Sequence, residues 1–180
     1  WNRLGKTQGT QDICLSDLGR AQAEKLGEYL KVKERITAIY CSDLSRARET
    51  AEIIGNQLLL DPINDPLLRE ISFGSWEGLS TAEIEAKYPG QLMRWRNELS
   101  YYPMGGENLL SVCTRVNAFV DMLRESHPGN NERILVISHS VTVKVLILSL
   151  LDIPLNLITR FKINQTGLSL INMAGADNAA

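Results

Sequence analysis

Histidine is nearly absent from this chain, with two in 180 residues. Any imidazole chemistry inside it falls to His127 or His139. Cysteine is sparse as well: Cys14, Cys41 and Cys113 are odd in number, scattered and without metal-ligand spacing. That pattern speaks against a disulfide framework and against a thiolate metal site, and it fits a reduced, cytoplasmic setting in which the thiols are small core residues. There is no excess of basic charge, since 19 Lys and Arg face 21 Asp and Glu for a net charge of -2. A nucleic-acid partner is not expected without a basic face, although a local basic pocket stays open. Long apolar runs are also missing. The most apolar segment, 141–151, falls short of the ~20 residues that a bilayer requires and contains Lys144. It reads as a buried helix, not a membrane span. Trp1 opens the sequence with no methionine or secretory signal before it, so the chain is expected to start inside a longer product.

What remains is ordinary for a globular protein: 44% hydrophobic and 22% charged residues. The length suits one domain, 1–180, around one core. Ser16 is a plausible N-cap for a helix over 17–30, in which Ala23, Leu26 and Leu30 share a face. The β-branched and aromatic run 36–41 predicts a strand, followed by a helix carrying Ala47, Ala51 and Ile54, with Ser42 as its expected cap. The two prolines of 61–66 predict a loop. Ser80 and Glu83 have capping-box spacing and open a helical region over 80–99 that Pro89 interrupts. Leu109, Val112, Val116, Phe119 and Leu123 form an apolar helical stripe that ends at His127-Pro128-Gly129. A strand over 133–138, a helix over 141–151 and a last strand over 167–173 complete the pattern. Strands alternating with helices give an α/β layered fold with a mainly parallel or mixed sheet.

His127, beside Pro128-Gly129, reads as a solvated surface residue. His139 stands at the carboxyl end of the 133–138 strand, just before a helix, where open α/β sheets place their ligands. Arg46 occupies the equivalent place after the 36–41 strand. Its guanidinium and the helix N-terminus suit an anion such as phosphate, whereas Arg48 reads as an arginine solvating its helix. Glu70 has apolar neighbours that would raise its pKa if buried, as a general acid requires, but Arg69 could pair with it and leave it structural.

Several motifs then follow in a fixed order: Ser42-Asp43-Leu44-Ser45-Arg46-Ala47, Leu68-Arg69-Glu70 with Phe73-Gly74 and Trp76-Glu77-Gly78, Gly105-Gly106-Glu107, and Val136-Ile137-Ser138-His139. Together with Trp1-Asn2, Gln8-Gly9 and Leu15-Ser16-Asp17-Leu18-Gly19 near the start, this order resembles the histidine phosphatase superfamily, the phosphoglycerate-mutase-like group, over nearly the whole chain. The resemblance implies a three-layer sandwich, with a mixed, mostly parallel sheet and helices on both faces. It also implies a metal-independent phosphomonoesterase without a cofactor, acting on a small soluble phosphorylated metabolite. In its terms Arg46 is a phosphate-binding arginine, Glu70 the acid that protonates the leaving oxygen, and His139 the second histidine, which stabilises the transferring phosphoryl group. Asn2 reaches the phosphate, Gln8 and Gly9 form the loop over it, and Ser140 stands where the family usually has glycine. Lys6 replaces a more usual arginine. Neither nucleic acid nor membrane is implied as a partner, and a homodimer is compatible with the sequence.

In the family pattern an Arg-His-Gly segment precedes Trp-Asn. The nucleophilic histidine and the central strand that carries it are therefore expected a few residues before Trp1, and the chain as printed is expected to be inactive. Two alternatives remain: a phosphoglycerate-type phosphomutase, disfavoured by the short 91–107 segment, and a non-catalytic phosphate-binding relative.

Overall fold

The computed structural model describes residues 4–129 and 132–173. Its frame is a three-stranded parallel sheet, β1 (Ala38–Cys41), β2 (Ile63–Asn64) and β3 (Ile134–Ile137), in the order β2-β1-β3. Among the described residues six α-helices surround it: α1 (Asp17–Lys33), α2 (Ser45–Leu58), α3 (Thr81–Lys87), α4 (Gln91–Asn97), α5 (Leu109–Ser126) and α6 (Ser140–Leu150). The alternation of side chains along a strand divides the core into two layers. Ile39, Cys41, Leu135 and Ile137 face α1 and α2, where Leu30, Ala51 and Ile54 are fully buried. Tyr40, Ala38, Ile134 and Val136 face α5 and α6, where Val112, Val116, Phe119 and Val145 are fully buried. Helices therefore cover both faces of the sheet, as the family resemblance implies.

Local signals set most of the helix ends. Ser16 Oγ accepts from Gly19 N at 3.2 Å, and Ser80 and Glu83 form the reciprocal capping box. Pro89 separates α3 from α4, with Gly90 at a φ of +75° between them. Ser42 does not cap α2 as expected. Its Oγ accepts from Leu44 N, and the cap comes from far along the chain, where Asp12 Oδ1 accepts from Ser45 N at 2.7 Å. The 61–66 loop contains the two-residue strand β2, held by pairing with β1.

The expected strand over 167–173 does not form. A strand exists only where a neighbour completes its ladder. This segment lines one side of a cavity whose other lining includes β3, and Leu168 and Leu170 stand 48% and 69% exposed. β3 is therefore an edge strand of the described sheet.

Under β1 the fully buried Phe119 ring meets the Tyr40 ring edge-on at 5.7 Å. Phe119→Ala is expected to lower the unfolding free energy by about 3–5 kcal/mol in urea titration.

Candidate active site

The register of the sheet decides where the chemistry collects. Cys41 pairs with Ile137, so β1 and β3 end at the same edge. From there α2 begins at Ser45, which puts Arg46 in its first turn, and α6 begins at Ser140 with His139 as its N-cap. Glu70 arrives from the turn Pro66–Leu68 and presents its carboxylate to the N-terminus of α6. Its Oε1 accepts from Ile71 N at 3.0 Å, Val141 N at 3.2 Å and Thr142 N at 3.3 Å. Arg46, Glu70 and His139 line one cavity of about 1870 Å³ together with Gln8, Gly9 and Ser140. Asn2 lies outside the described residues.

Electrostatics give the three groups different states. Burial pushes the Glu70 carboxyl up, against the pull of the Ile71, Val141 and Thr142 N–H groups and of Arg46. His139, 8% exposed, is pushed down to about 3, chiefly by burial and then by Arg46 and Arg115, with Asp43 acting the other way. Its ring is neutral near pH 7, and its buried Nε2 has no hydrogen-bond partner among the described residues. Burial also lowers the Arg46 pKa, offset by Glu70, Asp12 and Glu77, but a guanidinium remains charged. Arg69 does not pair with Glu70. It forms a two-pronged ion pair with Asp43, Nε to Oδ1 at 2.8 Å and Nη2 to Oδ2 at 2.6 Å, which leaves Glu70 free of a second cation from that side.

The loop after Lys6 is built into the same site. Arg46 donates from Nη1 to Gln11 O and from Nη2 to Gly9 O, both at 2.8 Å. Gly9 has a φ of +56°, and a Cβ there would lie 2.0 Å from Glu77 Oε1. That same oxygen accepts from Thr10 N at 2.8 Å, Thr10 Oγ1 at 3.1 Å and Phe73 N at 3.0 Å. In the sequence Glu77 stands inside a motif without a visible role, because Thr10 lies 67 residues away. Arg115 was missed too. It donates to Leu67 O at 2.6 Å and pairs with Glu107, whose Oε2 accepts from Ser72 N at 3.0 Å. An arginine beside the buried Val112 and Val116 stripe was the available signal.

Two other readings change. His127 is not a solvated surface residue: its side chain is 17% exposed, its Nε2 lies 2.9 Å from Tyr40 Oη, and its Nδ1 bonds Glu132. It lies at the end of α5 and serves the core. Among the aromatic residues of 80–102, Trp95 lines the cavity and packs on Phe73 at 5.4 Å. Tyr101 packs against Trp76 and carries the Arg94 guanidinium at 4.5 Å; with Tyr102 it lines a separate pocket.

The sequence profile of the histidine phosphatase superfamily, branch 1, matches residues 1–180. The chain is 34% identical over 174 residues to phosphoserine phosphatase 1 of Hydrogenobacter thermophilus, covering 96% of this chain and 81% of that protein. It is 34% identical over 160 residues to the glucosyl-3-phosphoglycerate phosphatase of Mycobacterium tuberculosis, covering 86% of this chain and 71% of that one. A solved mycobacterial glucosyl-3-phosphoglycerate phosphatase, in complex with VO3, superposes with a TM-score of 0.83 at 33% identity, over 89% of this chain and 79% of that one.

The depressed His139 pKa has a thermodynamic consequence. Between its ordinary 6.5 and about 3 the unfolded chain binds a proton that the folded chain does not, so folding stability declines as pH falls through that window. Urea titrations at about pH 7 and about pH 5 should show this decline, and His139→Asn should make it shallower.

Proposed function

The chain belongs to the histidine phosphatase superfamily, and from that premise we propose that it hydrolyses small phosphomonoesters through a phosphohistidine formed on a residue upstream of Trp1. The observation that carries the reading is the convergence of three groups on one cavity: the charged Arg46, the neutral His139 with an unpartnered Nε2, and the buried Glu70. The upstream histidine attacks phosphorus and the ester P–O bond breaks. Arg46 and a His139 N–H donor hold the phosphoryl oxygens, with Gln8, Gly9 and Ser140 around them. Glu70 gives its proton to the departing oxygen. Water then attacks the phosphohistidine, Glu70 takes a proton from it, and inorganic phosphate leaves.

The short 91–107 segment favours hydrolysis over phosphoryl return, in keeping with the phosphatases among the relatives. Phe73, Trp76, Ile84, Leu92 and Trp95 line the cavity together with Lys6, which suits a leaving group with an apolar part and an anionic substituent. The three free thiols, with Cys41 buried and raised to about 11, fit a reducing cytoplasm. Among the described residues no helix is long and apolar enough to cross a membrane.

The chain carrying its upstream coding residues should release phosphate from p-nitrophenyl phosphate, and acid-labile label trapped from a radioactive substrate should map to the upstream histidine. Label on His127 or His139 would overturn the assignment. Glu70→Gln in the same protein should lower turnover of alkyl phosphates about 10²–10⁴-fold and of aryl phosphates much less, since a phenolate leaves with little protonation. Equal losses for both classes would remove Glu70 from proton transfer.

A further inference from the structure

Arg46 lies in the first turn of α2, but two of its N–H donors are spent on backbone carbonyls of the preceding loop, Gly9 O and Gln11 O. The direction in which its remaining donors point therefore depends on where that loop is held. The loop contains no regular structure after the bridge of Lys6 to Ser80, and its backbone ties run to the segment that follows Glu70: Thr7 N to Leu79 O at 2.9 Å and Gly78 N to Thr7 O at 2.8 Å. Beyond Thr7 a side chain also joins the loop to that segment. Glu77 Oε1 accepts from both donors of Thr10 and, on its other side, from Phe73 N.

We propose that Glu77 is a positioning residue, whose carboxylate clamps the 8–10 loop to the 70–74 segment and thereby aims the Arg46 guanidinium at the phosphoryl group. The inference rests on the anion site described above and adds a residue that touches neither substrate nor product. Gly9 is the complementary part of the clamp. Its left-handed backbone and missing side chain let Glu77 Oε1 come within 2.0 Å of where a Cβ would stand, so the loop can close onto the carboxylate only with glycine there. The 70–74 side is fixed independently. Ser75 N donates to Met104 O, Glu107 N donates to Ser72 O, and a Cβ on Gly74 would lie 2.3 Å from Met104 O. Asp12 ties the far end of the loop to Ser45 at 2.7 Å, and the Glu77 carboxylate ties its near end to the fixed 70–74 segment, so the carbonyls that engage Arg46 are held between the two.

The test uses the chain with its upstream residues and reads inorganic phosphate affinity by calorimetry, kcat and KM for p-nitrophenyl phosphate, and Tm. Glu77→Ala is expected to weaken phosphate binding and to lower kcat/KM by about 10–100-fold, the scale of a misplacement of about 1 Å. Glu77→Gln keeps an oxygen acceptor for Thr10 and Phe73 and should stay within about threefold of the parent, whereas a purely electrostatic role would make it as poor as alanine. Gly9→Ala should reproduce the alanine phenotype, and combining it with Glu77→Ala should add little, because both break one contact. A folded Glu77→Ala protein that binds phosphate with the parent's affinity, whatever its Tm, overturns the inference alone. A parent that binds no phosphate overturns the anion site and the inference together.

Discussion

The pairing of Cys41 with Ile137 is the constraint from which the site follows. Parallel strands share their carboxyl ends, and the helix after each must start at that edge. One such start supplies Arg46 and the other supplies His139 together with the N–H groups of Val141 and Thr142. A shift of β3 by one residue would turn Leu135 and Ile137 from the α1/α2 layer into the α5/α6 layer and carry His139 away from Arg46. The apolar alternation that fixes the register for packing therefore also fixes the distance between Arg46 and His139. Core and chemistry are specified by the same four residue pairs.

Glu70 shows how the edge is tuned. A carboxylate at a helix N-terminus is normally held ionised by the N–H donors and the dipole. Here the group is 8% exposed, and the loss of water outweighs the donors, so its pKa lies above the ordinary value. The donors still matter, because they hold the carboxyl in place and limit how far the pKa rises. Any anion held beside it would push the pKa further up through like-charge repulsion. Had Arg69 turned toward Glu70, a salt bridge would have kept it ionised. Asp43 engages both prongs of that guanidinium and removes the competitor.

Legibility in the sequence tracks the range of the interaction. Ser16 and the Ser80–Glu83 box act within a single helical turn, and both were readable. Arg46, Glu70 and His139 were readable as candidates because each sits beside a recognisable strand or motif, but that they share a cavity depends on the β1–β3 register, which no local pattern states. Asp12 capping α2, Asp43 claiming Arg69 and Tyr40 claiming His127 join residues 33, 26 and 87 positions apart. The 167–173 run has the composition of a strand and still forms none, since a strand is a property of a pair and its composition says nothing about the neighbour.

The same distinction explains why acidic residues outside the chemistry matter here. Cations gathered at this edge would repel one another without counter-charges. Several carboxylates stand one step back from Arg46 and supply them. Asp12 holds the start of α2 through Ser45, Asp43 holds Arg69, Glu107 holds Arg115, and Glu77 holds Thr10. Each is engaged by N–H or O–H donors, so its charge is partly neutralised where it stands and its field at the cavity is weakened. Asp12, Glu70 and Glu77 nevertheless offset part of the burial penalty on Arg46. The Arg46 guanidinium can therefore be partly buried and still keep its charge.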